Sequence, residues 1–358
     1  MFSYLKRFDW GVTAPVLVLG AASLTMMQSV APQLFVLQLA WFSLGIAIMC
    51  IIGMANFRTL ESHRAFIYAL YAVGVGALLV TAFIAPQIRG SRSWIVIGPA
   101  QFQASEFMKV ALIVFFSYFF AKRHAGIAHI SNIVIPFLYL LLPAAFVLRQ
   151  PDLGSALILV GIWAGYLFVS GIRPRHVAIG FILAIITFVV AWNGFLKDYQ
   201  KERIIGLFLP ARDPLGINYN VIQSKIAIGS GGFWGKGFRQ GTQAQLGFLP
   251  EAQTDFIFAA LVEEWGLFGA ILVIGAFLSL IFRMIFVALE SQNNFSRLLC
   301  LGATILFLLH FAVNVGSNVG LLPVIGVPFP FLSYGGSNLL ANFIMLGIVQ
   351  SIAARRSF

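Results

Sequence analysis

Apolar runs of about 20 residues recur along nearly the whole 358-residue chain, separated by short polar connections. Lipid offers no partner for backbone N–H and C=O groups, so runs of this length must be helices. The pattern predicts ten spans: about 11–30, 33–55, 65–86, 105–121, 131–148, 153–171, 176–194, 256–288, 297–318 and 336–354. The eighth is long enough to tilt or to project beyond the membrane. The expected fold class is therefore all-α and polytopic, a single membrane domain over residues 1–358 with about ten transmembrane helices.

One connection breaks the rhythm. About 60 residues, 195–255, lie between spans seven and eight on the outer face. Loops this long are usually functional or disordered. This one keeps Ile204, Phe208, Ile222, Phe233, Trp234 and Phe248, so disorder does not fit. Tyr219–Ile228 has amphipathic spacing and is expected to lie in the interface plane, as are Ile95–Ile97 and Phe102 before span four.

Composition agrees: 60% of residues are hydrophobic and 10% charged, with a mean hydropathy of +0.92. The net charge of +11 would suggest nucleic acid in a soluble protein, but its placement argues otherwise. With the N-terminus inside, Lys6, Arg7, Arg58, Arg64, Lys122, Arg123, Arg173, Arg175, Arg283, Arg297, Arg355 and Arg356 all fall on the inner face. The short outer loops hold Arg89, Arg92 and Arg149. This bias puts both termini in the cytoplasm. The first span reads as a retained helix rather than a signal peptide, because Pro32 follows the candidate cleavage site. Cys50 and Cys300 fall within spans and read as small core residues. No Cys/His cluster has zinc spacing, and the five histidines lie inside or at mid-membrane. Outer-face acid–base chemistry is thus left to carboxylates, lysine or tyrosine.

The richest polar segment is Gly229–Glu264, with seven glycines, two cations and four carboxylates. Asp255 opens span eight, either as a cap complementing the helix dipole or as a base at the mouth of a cavity. Glu263 and Glu264 sit about 80° and 180° around the helix from it, so they read as packing or partner-helix contacts. Glu106 and Lys109 share a face of span four, as a local ion pair or as an anion site with Lys109 turned into the cavity. Trp94 is a belt residue or a wall of that site, and Arg89 with Arg92 is a possible phosphate receiver. The run Gly229–Gly237 fails as a P-loop, since Ser230 stands where glycine is needed and Gly237 where Ser/Thr is needed. Its amides form either hairpin turns or an anion nest near Lys236 and Arg239. Pro328–Asn338 places Ser333, Tyr334 and Asn338 on irregular backbone at membrane depth, which is tolerated only along a protein cavity. Asn314 and Asn318 add polar groups nearby.

Four blocks carry a resemblance: SRSWIVIGPAQFQASEFMK (91–109), DYQKERIIGLFLPARDPLGINYNVIQSKIAIGSGG (198–232), GKGFRQGTQAQLGFLPEAQTDFIFAALVEEWGLFG (235–269) and GLLPVIGVPFPFLSYGGSN (320–338). They resemble the SEDS family of bacterial shape, elongation, division and sporulation proteins, and the second block resembles its RodA branch more than its FtsW branch. The resemblance implies a peptidoglycan glycosyltransferase acting on lipid II at the outer leaflet, with Asp255 as the essential acid and Trp94, Glu106 and Lys109 in a polar cavity. It also implies a class B penicillin-binding transpeptidase as partner, docked near spans eight and nine. The leaving pyrophosphate needs cations, for which Lys109, Arg203, Lys236, Arg239, Arg89 or a divalent ion such as Mg or Mn are candidates, with Ser333 and Asn338 as further substrate contacts. A lipid-precursor flippase and a non-catalytic scaffold for the transpeptidase remain as rival readings.

Overall fold

The computed structural model describes residues 8–355 except 89, 99, 124–129, 195–197, 199–200, 203–204, 207–208, 210–215 and 217. All ten expected spans are helices: α1 (Trp10–Val30), α2 (Phe35–Met54), α3 (Arg64–Ile84), α4 (Ala104–Ala121), α5 (Ser131–Arg149), α6 (Leu153–Val169), α7 (Pro174–Gly194), α10 (Ile257–Leu289), α11 (Asn294–Asn318) and α12 (Gly336–Ala353). Between α7 and α10 lie α8 (Tyr219–Ser230) and the single turn α9 (Thr242–Gln245). Among the described residues nine helices meet the length and hydropathy needed to cross a membrane, and the 17-residue α6 falls just short in length. The chain is a multi-pass membrane protein.

Helix α4 and helix α12 are buried along most of their length and form the centre of the bundle. In lipid, close backbone approach and dispersion replace hydrophobic driving force. Accordingly α12 packs most extensively on α2, where a side chain at Gly45 would collide with the Phe343 ring. α7 is the outlier: none of its hydropathic window is buried.

Successive spans alternate in direction, so both chain ends meet at one end of the bundle. There Arg283 of α10 grips the Asp9 carboxylate through three contacts of 2.7–3.1 Å, and Gln350 of α12 donates to the Asp9 carbonyl at 2.9 Å. Among the described residues, the opposite end carries the long loop and every polar constellation singled out above. One unexpected element sits there. Ile95–Ile97 (β1) and Ala100–Phe102 (β2) pair as a small antiparallel hairpin, stitched to the start of α12 by Ser337, which accepts from Gln103 N and donates to Gln101 O.

The eighth span is not one long tilted rod. Gly266 (φ 64°, ψ −164°) breaks α10 into a short N-terminal segment and a longer C-terminal one. A break frees two carbonyls and two amides that an unbroken helix would pair i to i+4, and in a membrane each must find another partner. The glycine loop supplies all four. Lys236 N and Gly237 N donate to the carbonyls of Glu263 and Glu264, at 2.9 and 3.0 Å. Leu267 N and Phe268 N donate to the carbonyls of Gly232 and Phe233, at 2.9 and 3.0 Å. The loop is a splint across the broken helix. Its Lys236 and Gly237 amides point at protein carbonyls, which corrects the anion-nest reading.

Candidate functional site

Asp255 does not open α10 as its cap. The N-cap is Phe256, whose side chain has no acceptor for a cap bond, and the first turn holds no acid. Asp255 instead lies one residue before the end of an irregular segment, Glu251–Phe256, in which Glu251 takes a positive φ of 53°. Three consecutive carbonyls of that segment are clamped. Tyr334 N donates to Gln253 O at 2.9 Å, and the Ser333 hydroxyl donates to Thr254 O at 2.7 Å. The Asp255 carbonyl accepts from Asn314 and Asn318 of α11 at 3.1 and 2.8 Å. Asn318 Oδ1 in turn accepts Ala259 N in the first turn of α10, at 3.1 Å. The backbone is fixed on both sides, and the half-buried carboxylate projects from a rigid mount.

The second clamp explains the irregular Pro328–Asn338 stretch. Phe329, Phe331 and Leu332 are buried, and Phe329 N donates to Ser333 Oγ at 2.9 Å, closing a turn that aims the Ser333 hydroxyl at the Asp255 segment. Burial pushes the Tyr334 phenol above its ordinary pKa, so it stays protonated at neutral pH.

One turn further along α11 from Asn314 lies a second polar layer. His310, four residues before Asn314, shares its face. Its Nε2 is 3.1 Å from Lys109 Nζ. Lys109 also donates to Glu106 Oε1 at 2.8 Å. Asn338 of α12 donates to Glu106 Oε2 at 2.9 Å and receives Asn342 at 2.9 Å. All five side chains are at least nine-tenths buried. An ammonium has donors only, so His310 Nε2 accepts and the ring is neutral with its proton on Nδ1. The local ion pair between Glu106 and Lys109 exists, and it is part of a closed, three-helix network. Breaking one side of a buried pair leaves an uncompensated charge and costs about 3–5 kcal/mol. Lys109→Met is therefore expected to lower thermal stability sharply in detergent, and Glu106→Gln/Lys109→Met to recover most of the loss.

His310 was missed from sequence because a lone histidine in an apolar span reads as a core residue. The signal was the spacing: His310, Asn314 and Asn318 recur every four residues along one helix face.

The remaining candidates are placed as follows. Lys236 bonds Glu263 Oε1 at 2.7 Å and Thr242 Oγ1 at 2.8 Å. Glu263 also receives Gln243 N and Ala244 N, at 2.9–3.3 Å, so it caps α9. Arg239 donates twice to the Gln28 carbonyl near the end of α1, at 2.7 and 3.2 Å. Both cations thus hold the loop to the bundle in this structure. Glu264 is buried against Ser29 and Gln245. Trp94 is half-buried at the entry to the hairpin, and no hydrogen bond of the buried network reaches it. Arg203 and Arg89 lie outside the described residues. Among the described residues no three His, Cys, Asp or Glu side chains converge as a ready-made metal cage.

A family model described as the cell cycle protein family FtsW/RodA/SpoVE matches residues 7–357. The peptidoglycan glycosyltransferase MrdB of Escherichia coli K12 is 37% identical over 314 residues, spanning 88% of this chain and 84% of the relative. A probable peptidoglycan glycosyltransferase, FtsW of Trichlorobacter lovleyi, is 37% identical over 278 residues, spanning 77% and 72%. Among solved structures, a chain of a peptidoglycan synthase complex that coordinates polymerization and crosslinking superposes with a TM-score of 0.83 at 32% identity, covering 98% of both chains. The rod shape determining protein RodA of Thermus thermophilus superposes with a TM-score of 0.72 at 28% identity, covering 98% and 97%. By model, relatives and fold together, this chain belongs to the FtsW/RodA/SpoVE family.

Proposed function

We propose that the protein is a peptidoglycan glycosyltransferase that polymerises lipid II into glycan strands during cell elongation, with Asp255 as the general base. The observation that carries this reading is the mount of Asp255. Three clamped carbonyls hold one carboxylate rigidly at the end of the bundle opposite the chain termini, in a family whose named relatives are peptidoglycan glycosyltransferases. The positive-inside bias assigns that end to the outer face and the termini to the cytoplasm.

In each addition the sugar 4-hydroxyl oxygen bonds to the anomeric carbon of the lipid-linked sugar. The bond from that carbon to the pyrophosphate oxygen breaks, its electron pair leaves with the pyrophosphate, and the hydroxyl proton passes to the Asp255 carboxylate. A single displacement inverts the anomeric centre. Of the carboxylates at this end, Glu251 accepts from Thr254 and Asp152 caps α6 while accepting from Gln103, which supports Asp255 as the base. Lys109, paired with Glu106 and flanked by His310 and Asn338, gives the site a fixed polar floor whose donors are already oriented. Trp94, Arg203, Lys236, Arg239 and Ser333 remain in the proposal as residues that contact the substrate once the loop engages it. A hard Mg or Mn ion suits Asp255, because such ions take one or two carboxylates and complete their shell with phosphate oxygens and water. When bound it would offset the charge of the pyrophosphate.

The partner is a class B transpeptidase with a single membrane helix. The lipid-facing stripe of α10, with Leu267, Ile271, Phe282 and Phe286 exposed, offers it a dock beside α11.

Proteoliposomes separate this reading from the flippase. Wild-type protein with its partner is expected to release polyprenyl pyrophosphate in step with glycan growth. Movement of lipid II across the bilayer with no polymer would overturn it. The clamp makes a further prediction. Asn318→Ala removes one of the two contacts to the Asp255 carbonyl and the one to Ala259, so kcat is expected to fall roughly tenfold with KM little changed, since the loss of alignment is felt at the reacting atoms. Steady-state polymerisation rates against lipid II concentration check it.

A further inference from the structure

With Lys109, Lys236 and Arg239 all engaged, two other cations on the same face stand out. Arg92 and Arg149 are exposed, and neither guanidinium makes a hydrogen bond or ion pair among the described residues. They line one cleft of about 360 Å³ between the outer ends of α3 and α5, together with Phe83, Gln87, Phe146 and Gln150. The cleft shares no lining residue with the Asp255 segment.

Its floor is built. Gln150, 2% exposed, donates to the Leu78 carbonyl of α3 at 2.9 Å. Its own carbonyl accepts Arg92 N at 3.3 Å and the Ser91 hydroxyl at 2.7 Å. These bonds draw α3, the 91–93 segment and the end of α5 together and bring the two arginines to one rim. Phe83 and Phe146 form the apolar part of its lining, and about one turn further along the same two helices Leu79, Val80, Leu141 and Leu142 are exposed. Arg149 also offsets the carbonyl end of α5, but a helix terminus carries only about half a charge. Two guanidiniums therefore leave the rim net positive.

The geometry points to a binding site for the phosphate headgroup of an anionic lipid in the outer leaflet, its chain lying in the α3–α5 groove. Paired guanidiniums match phosphate oxygens bidentately. An apolar wall at membrane depth selects a lipid over a free anion. The phosphate belongs either to a bilayer phospholipid or to a polyprenyl carrier.

The test uses the full-length protein in phosphatidylcholine nanodiscs doped with phosphatidylglycerol in one arm and polyprenyl pyrophosphate in the other. Retained lipid is counted by native mass spectrometry. Wild type should keep at least one dopant in preference to phosphatidylcholine. Arg92→Ala/Arg149→Ala should lose that preference by roughly tenfold per arginine, the scale of one charge-assisted hydrogen bond. Arg92→Lys/Arg149→Lys should keep part of it. Both side chains are exposed, so an unchanged melting temperature should accompany the loss. Phosphatidylglycerol retained alone identifies a bilayer lipid, and polyprenyl pyrophosphate retained alone identifies a carrier lipid. Equal retention by wild type and the alanine variant, or no preference in wild type, would overturn the site.

Discussion

Gly235→Ala is expected to yield little folded protein, with a loss of more than about 3 kcal/mol. Gly235 has a φ of +82°, and a Cβ there would lie 2.1 Å from Glu264 O and 2.6 Å from Gly266 N. Both are backbone atoms at the break in α10 and neither can rotate away. Relieving the collision means separating the loop from the helix, which strands the Glu263 and Glu264 carbonyls and the Leu267 and Phe268 amides at membrane depth. Each unpartnered group there costs several kcal/mol. The matched control is Gly229→Ala, where nothing lies within 4 Å of the new Cβ. That glycine sits in α8, where alanine is the better helix former, so its stability should hold or rise. Thermal unfolding of the detergent-solubilised variants decides. Similar melting temperatures for the two substitutions would mean that the loop does not splint the helix. The functional cost follows from the same geometry, because the N-terminal segment of α10 carries the Asp255 turn.

The spans were legible because a run of 20 apolar residues has only one solution in lipid. The break at Gly266 was not. Glycine is common in membrane helices, and what stabilises the break lies some 30 residues earlier in a loop whose glycines look like ordinary turn formers. The same non-local pairing hid the fates of Lys236 and Arg239, whose partners Glu263 and Gln28 are far away in sequence. The hairpin escaped notice because three-residue strands leave no periodicity to count. Of the site, Asp255, Ser333 and Asn338 could be picked out as polar residues on interrupted apolar sequence, and Glu106 with Lys109 by their three-residue spacing. What joins them could not be read in the same way. The Asn314 and Asn318 clamps and the His310 layer depend on which face of α11 turns inward, and only packing decides that.

Asp255→Asn is expected to cut polymerisation by about 10²–10⁴-fold, the range a positioned general base contributes, while the protein stays folded. The reason lies in how the residue is held. Asn314 and Asn318 grip its carbonyl, and Thr254 and Gln253 are held the same way. An isosteric amide therefore leaves those clamps intact and removes the carboxylate proposed to take the proton. Partner binding should survive for the same reason, since the lipid-facing stripe of α10 lies beyond the break. The decisive measurement is the initial rate of glycan formation from purified lipid II by the partner-bound protein, wild type beside Asp255→Asn at matched melting temperature. Polymer from the wild type and essentially none from the variant is the predicted result; equal rates from the two would contradict the assignment of Asp255 as the base.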